Sequence, residues 1–291
     1  MSKLNPLLKG LVSAKPQGLL IPVLREYVMR REMQKKSGEL KEREIVVADA
    51  KLTIAAMRQR QREFNHGVKE EFFYFHPSQI GRCLREVWYQ AMNAPAGEAQ
   101  DAESLLRMYL IFDIGTYLHV VAQNLCQSAG IMQFKDREIL LKSDKIGVIG
   151  HEDGEVVING KRYTLEIKTI NSRGFTGLKV AKHEHRLQAS VYMKVRGTDG
   201  AIIFYINKDT CELKEFLVEP DEMFEEEAKP RIETFFAAYK KKKPPPREGN
   251  SPASMPCKWC AYQRVCFDSK ESDAFLATVK GKKLLPAPPT E

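Results

Sequence analysis

Asp153, Glu166 and Lys168 are the residues of this chain whose types and spacing best suit the binding of a metal ion. They lie in the run Asp153-Gly-Glu-Val-Val-Ile-Asn159-Gly160-Lys-Arg-Tyr-Thr-Leu-Glu166-Ile-Lys168, two strand-like stretches about Asn-Gly, the strongest short hairpin signal. Counting outward from the two loop residues sets Asp153 opposite Glu166. Directly opposed side chains in such a ladder have Cβ atoms roughly 4.5–5.5 Å apart, and like charges there repel. Strand side chains alternate, so Lys168 joins the same face, while Val156, Ile158, Tyr163, Leu165 and Ile167 make an apolar face. Two anions beside a lysine need a cation between them, and a divalent metal with oxygen ligands meets that need. Glu-x-Lys alone is also common on solvated strands that do nothing, so the rest of the chain has to decide.

The six cysteines form a second group. Cys257, Cys260 and Cys266 are spaced C-x2-C-x5-C, three thiolates that need a fourth ligand. In a chain read as intracellular, such cysteines argue for metal binding or reactivity rather than disulfides. Cys126 and Cys211 sit alone in apolar, helix-like and strand-like surroundings and read as packing residues. His151 and the His183-Glu184-His185 run do not read as a ligand set. His183 and His185 are two residues apart, which is wrong for one helical face, and the run reads as a solvated helix start.

The elements that must position these residues follow from punctuation and periodicity. Helices are predicted over 19–36 and 39–64, separated by Ser37-Gly38, and over 78–92 with Ser78 as N-cap. A long apolar helix over 103–128 closes at Gly130. Strands are predicted at 137–142, 145–150, 153–159 and 161–169, followed by a helix over 181–196. Two more strands, Ala201–Asn207 and Glu212–Glu219, precede an amphipathic helix over 221–242. Lys240–Lys243 and Pro244–Pro246 mark a break, and the tail after residue 268 reads as loose. The order implies an α/β fold, a central mixed sheet flanked by helices.

With 291 residues and a hydrophobic fraction of 43%, the chain can build one medium domain with elaborations. The net charge of +8 is uneven: residues 1–70 hold 15 Lys and Arg against 8 Asp and Glu. Such an excess suits a polyanion partner. No stretch reads as the roughly 18 apolar residues of a membrane helix, and the first residues lack a signal-peptide core. The expectation is a cytoplasmic protein without a membrane partner.

Gly115-Thr-Tyr-Leu-His119, Gly150-His-Glu-Asp153, Glu166-Ile-Lys168 and Gln188-Ala-Ser-Val-Tyr192 resemble, in order and spacing, the PD-(D/E)xK nucleases of the RecB type. Ser78-Gln-Ile-Gly-Arg-Cys83-Leu-Arg-Glu-Val-Trp-Tyr89, with Cys257, Cys260 and Cys266, resembles that family's iron–sulfur branch, which includes CRISPR-associated RecB-like exonucleases, phage relatives and the AddB nuclease domain. The resemblance covers roughly residues 76–268. It implies a restriction-endonuclease-like core and a Mg2+ or Mn2+ ion held by His119, Asp153, Glu166 and the Ile167 carbonyl. Lys168 would then orient or deprotonate a water, and Gln188 and Tyr192, four apart on one helical face, would position the active strand.

For the cysteines, the resemblance supplies Cys83 as the fourth ligand. Four thiolates suit zinc or an iron–sulfur cluster on ligand chemistry alone; the resemblance implies a structural 4Fe–4S cluster, with Zn2+ the alternative. Trp88, Tyr89, Trp259 and Tyr262 are expected to pack about it, with lining of a DNA path the alternative. The implied organisation is a basic helical extension over 1–70, a nuclease core over 71–243, a Cys-rich closing segment over 244–268 and a flexible tail over 269–291.

The implied activity is a metal-dependent exonuclease acting at DNA ends, single- or double-stranded, in phage recombination within a bacterial host cell. A nuclease component of CRISPR spacer acquisition and a non-catalytic DNA-binding scaffold are the alternatives. No G-x-x-x-x-G-K-[ST] run is present, so a helicase or a single-strand annealing protein would act in trans.

Overall fold

Asn159 and Gly160 both take left-handed backbone, with φ of 53° and 76°. Two successive positive angles match the right-handed twist of the strands they join, and they fix the hairpin between strands Val148–Ile158 and Lys161–Ile170. Its register sets Glu155 opposite Thr164 and Gly154 opposite Leu165, as counted from Asn-Gly in the sequence.

The structure is a computed structural model that describes residues 18–37, 72–97, 101–220, 222–281 and 283–284. The helix predicted over 39–64 lies outside them. In chain order the described elements are α1 (Leu20–Lys36), α2 (Leu84–Ala91), α3 (Ala102–Ser128), β1 (Arg137–Ser143), β2 (Val148–Ile158), β3 (Lys161–Ile170), α4 (Ser172–Thr176), α5 (His183–Arg196), β4 (Gly200–Asn207), β5 (Leu213–Val218), α6 (Lys229–Lys240), α7 (Gln263–Phe267) and α8 (Ser269–Leu276).

The five strands form one mixed sheet in the order β1-β2-β3-β4-β5. Every pairing is antiparallel except β3 with β4, which is parallel and is bridged in sequence by α4 and α5. All eight residues of β4 are buried, as expected of a strand covered on both faces. One face carries Val156, Ile158, Leu165, Ile167 and Phe204 against Leu20, Ala122 and Cys126 of α1 and α3. The other carries Ala201, Ile203 and Tyr205 against Ala189 and Met193 of α5, and a third cluster joins α2, α5, α6 and α7. The architecture is α/β, a mixed sheet flanked by helices.

Several expectations change. The strands predicted at 145–150 and 153–159 are one strand, because Gly150, His151 and Glu152 continue the pairing with Leu141, Leu140 and Ile139. The helix predicted over 221–242 opens with a π-helical turn at Phe224–Ala228 before α6 begins. Pro230 lacks an N–H and cannot close the normal α-helical bond there.

Residues 1–70 are not wholly an extension. Leu20, Ile21 and Leu24 lie in the core, and the Glu215 carboxylate caps α1 by accepting from Leu20 N at 2.8 Å and Ile21 N at 2.9 Å. Nor is the chain loose from residue 269: α8 sets Phe275 against Trp88 and Tyr89, and Phe73 N donates to Lys283 O at 2.8 Å. Apolar side chains that find core partners override a composition that reads as linker.

One helix of the described residues, α3, is long and apolar enough to cross a membrane by length and composition. That corrects the reading of no such stretch: Arg107 and Asp113 interrupt the apolar run in sequence without lowering its mean hydropathy far.

Candidate active site and cysteine centre

The β2–β3 pairing ends at Gly154 and Leu165. Beyond it, Ile167 N–H donates to the side chain of Asp153, at 2.7 Å from Oδ2. Asp153 Oδ1 lies 3.1 Å from His119 Nδ1, which α3 delivers from above the apolar face. Both carboxylate oxygens are thus engaged in a buried setting. Burial opposes ionisation of Asp153, but His119 and Lys168 outweigh it and hold the carboxyl below its usual value.

A second group stands on the neighbouring strand and helix. Lys168 Nζ contacts Glu166 Oε1 at 2.6 Å and donates to Gln188 Oε1 at 3.0 Å. Gln188 Nε2 lies 3.5 Å from the Tyr192 hydroxyl, which donates to His151 O at 2.9 Å. The ammonium, the amide and the phenol therefore form one chain anchored on β2. Gly150 leaves room for it, since a Cβ there would stand 3.3 Å from the Tyr192 hydroxyl.

Burial pushes the Glu166 carboxyl up to about 7; the Asp153 charge adds to this and the Lys168 charge works against it. Burial would lower the Lys168 ammonium, yet Glu166 and Asp153 outweigh burial and raise it. Lys168 is a held cation, not a neutral amine.

Among the described residues, no group of three His, Cys, Asp or Glu side chains is arranged to hold a metal ion. The expected convergence of His119, Asp153 and Glu166 on one point is not what the structure displays. Each carboxylate is matched to its own partner, Asp153 to His119 and Glu166 to Lys168. The donor set nevertheless fits a divalent cation: an imidazole and two carboxylates, with Glu166 Oε2 buried and without a hydrogen-bond partner.

Three residues near the site were missed in the sequence. Gln123, one helical turn after His119, donates from Nε2 to Asp153 O and to Glu138 Oε1, both at 2.7 Å. Its i+4 spacing from His119 was the available signal. Glu152 is fully buried, and burial pushes its carboxyl up to about 8 against the Thr164 hydroxyl and the Arg196 charge. No signal marked it, because Glu152 and Glu155 both reach Arg196 although an odd interval separates them. His185 is not a solvated helix start. Its Nδ1 lies 2.7 Å from the buried Tyr205 hydroxyl, and burial, aided by Lys168 and Lys182, pushes the imidazole down to about 3. Tyr205 is the direct β4 partner of Lys168.

Cys83, Cys257, Cys260 and Cys266 line one cavity, beside Tyr89 and Arg247. The cavity is closed by Arg247, which donates from Nε to Cys266 O at 3.1 Å, and by Tyr89, which donates to Val265 O at 3.2 Å. Gly249 runs so close that a Cβ there would stand 2.4 Å from Cys257 Sγ. Tyr262 N–H donates to Cys260 Sγ at 3.4 Å. Burial pushes the Cys260 thiol up to about 11, and Glu86 and the neighbouring Cys83 and Cys266 sulfurs add to it. The four thiols share one pocket, a donor set that fits zinc or an iron–sulfur cluster, although they too are not in metal-holding geometry. Cys126 is buried in the core as expected, whereas Cys211 is exposed on a turn with φ of 61° and packs nothing. Trp88, Tyr89 and Tyr262 pack as expected, but Trp259 is exposed.

The fold and site define an α/β protein with a buried carboxylate–lysine–glutamine centre where the β2–β3 pairing ends. No protein-family model matches the chain, and no curated protein matches it in sequence. Among solved structures, the crystal structure of SSO0001 is similar over 76% of this chain and 97% of that one, with 20% identity and a TM-score of 0.45. An alkaline exonuclease (LHK-Exo) from Laribacter hongkongensis is similar over 58% of this chain and 89% of that one, with 17% identity and a TM-score of 0.41. Its complex with dAMP gives 59%, 90%, 17% and 0.42 for the same quantities.

Proposed function

We propose that this protein is a divalent-metal-dependent deoxyribonuclease that degrades DNA from its ends. The observation that carries the reading is the buried pairing of Glu166 with Lys168 beside Asp153 and His119, with Glu166 Oε2 left without a partner. Its motifs match the RecB-type pattern in order, and that resemblance supplies the preference for exonuclease action.

His119, Asp153, Glu166 and the Ile167 carbonyl would hold Mg2+ or Mn2+. Such an ion lowers the pKa of a bound water and offsets charge developing on a phosphate. Lys168 supplies a fixed positive charge at the edge of the site, where its ammonium can donate to the attacking water or to a phosphate oxygen. Gln188 fixes that ammonium in direction, and Tyr192 fixes Gln188 through a bond to β2. Gln123 ties the Asp153 backbone to α3, so that His119 and Asp153 move as one.

The four cysteines would hold a structural 4Fe–4S cluster, with zinc the alternative, joining the start of α2 to the segment around α7. The basic excess of the chain supports a nucleic-acid substrate. A phage recombination setting with a single-strand annealing protein or a helicase in trans is the biological context proposed, and CRISPR spacer acquisition is its competitor.

The deciding experiment is digestion of end-labelled linear DNA and of covalently closed circles with Mg2+ or Mn2+. Loss of the linear form alone supports an exonuclease. Nicking of circles would make it an endonuclease, and an inert protein with intact DNA binding would make it a scaffold.

A further inference from the structure

The carboxylate–lysine site opens toward the far end of β3. Tyr163–Ile167 are buried, whereas Lys168, Thr169 and Ile170 are only partly so. On α5, His185, Gln188 and Tyr192 recur at intervals of three and four, which is one stripe of the helix. Gln188 and Tyr192 hold Lys168 in direction. His185 lies one turn nearer the opening, about 4.5 Å along the axis from Gln188. Its partner Tyr205 is level with Lys168.

The hydrogen bonds of His185 fix where its proton sits. Tyr205 is fully buried, and its hydroxyl accepts from Lys182 N at 3.1 Å. Among the described residues the hydroxyl hydrogen has one acceptor, His185 Nδ1 at 2.7 Å. Burial keeps the imidazole neutral by pushing it down to about 3. With Nδ1 accepting, a neutral ring carries its hydrogen on Nε2. That N–H has no partner among the described residues, and Nε2 is not closed off from solvent. Two hydrogen-bonding nitrogens are usual for a histidine that only packs; this ring keeps one donor in reserve.

The charges about the opening restrict what that donor meets. Between Ser172 and Arg186, the stretch from the end of β3 into α5, Arg173, Lys179, Lys182 and Arg186 stand against Glu184 alone. Arg173, Lys179 and Lys182 are exposed. The stretch is tied to the sheet by Lys214, whose Nζ donates to Phe175 O at 2.7 Å and Leu178 O at 3.0 Å. A fixed neutral donor among cations suits the phosphate oxygens of a nucleic acid, which such groups position without reading sequence.

On the nuclease reading, we propose that His185 is a DNA-binding residue. Its Nε2–H donates to a non-bridging oxygen of the phosphate next to the one cleaved. Tyr205 sets the ring, and Lys182 supplies charge beside it.

Two substitutions separate this from a packing role. His185→Gln can place an amide N–H near the position of Nε2, and His185→Asn can place a carbonyl near that of Nδ1. The full chain is titrated with a labelled single-stranded oligonucleotide in chelator, and KM and kcat are measured on the same strand with Mg2+ or Mn2+. His185→Asn should weaken binding and raise KM about tenfold, with kcat within about twofold. His185→Gln should stay within about threefold of wild type on both, which a misfolded helix could not do. The lost donor is neutral, so His185→Asn should keep the wild-type slope of log K against log salt, whereas Lys182→Ala should flatten it by about 0.7. Wild-type binding by His185→Asn, or failure of His185→Gln to restore it, overturns the proposal. So does a fall in kcat at unchanged KM. A wild type that binds and responds as expected but cuts nothing would uphold His185 and sink the nuclease reading instead. A wild type that neither binds nor cuts sinks both.

Discussion

Lys168 is clamped between Glu166 Oε1 at 2.6 Å and Gln188 Oε1 at 3.0 Å, so one ammonium joins the strand that holds the carboxylate to the helix behind it. A carboxylate and an amide fix its direction together. The charge remains at one point of the site whatever the substrate does.

Lys168→Ala should lower cleavage of end-labelled DNA by about 100-fold or more, the scale on which preorganised electrostatic groups act. Glu166→Ala should do the same. Affinity for DNA in gel shifts without added metal should change little, since both groups are buried. Cleavage close to wild type in either variant would remove the active-site assignment. Gln188→Ala should have a milder effect, about tenfold, because the lysine remains and only its direction is lost.

Glu152 gives a signed pH dependence of stability. Its carboxyl is raised to about 8 in the folded protein from an ordinary 4.5. Between those values the folded state keeps a proton that the unfolded state releases, so stability is lost as pH rises through the window. The loss is on the order of 5 kcal/mol by pH 9. Urea melts in the presence of a chelator should show Glu152→Gln more stable than wild type at pH 9 and nearly equal to it at pH 5. Parallel profiles for the two proteins would contradict the assignment.

Protein purified without oxygen should be brown, with a broad visible absorption bleached by dithionite. Colourless protein with stoichiometric zinc would decide for the other centre. Cys257→Ser or Cys266→Ser should reduce soluble yield either way, because ligand loss removes folding free energy. Normal yield and stability in both variants would leave the pocket without a structural metal.

Leu24→Ala should destabilise the protein by about 2–5 kcal/mol, the usual cost of emptying a buried leucine site. The midpoint of urea denaturation reports it. An effect below about 0.5 kcal/mol would instead mean that α1 is dispensable to the core.

The hairpin was legible because Asn-Gly requires a backbone that few other pairs adopt, and its register followed by counting. The apolar face followed from alternation, and Val156, Leu165 and Ile167 are fully buried. Gln188 and Tyr192 were legible as a pair by helical spacing. Alternation failed at Glu152 and Asp153, where the ladder ends and a side chain replaces a backbone acceptor. His185 was illegible for a different reason: its partner, Tyr205, comes from a strand twenty residues away, and only the packing of α5 on β4 brings them together. The place of α1 in the core rests on Glu215, 195 residues from Leu20, a distance over which composition says nothing.

α3 is a single continuous helix from Ala102 to Ser128. Gly115 lies midway along it, close against β3: a Cβ there would stand 3.4 Å from Thr169 Oγ1. The helix is therefore a lever resting on the central strand of the sheet. Its outer arm carries the exposed apolar side chains, and its inner arm carries His119 and Gln123 down to Asp153. A load that tilts the outer arm is delivered, with opposite sense, to the imidazole and the amide that hold the carboxylate in place.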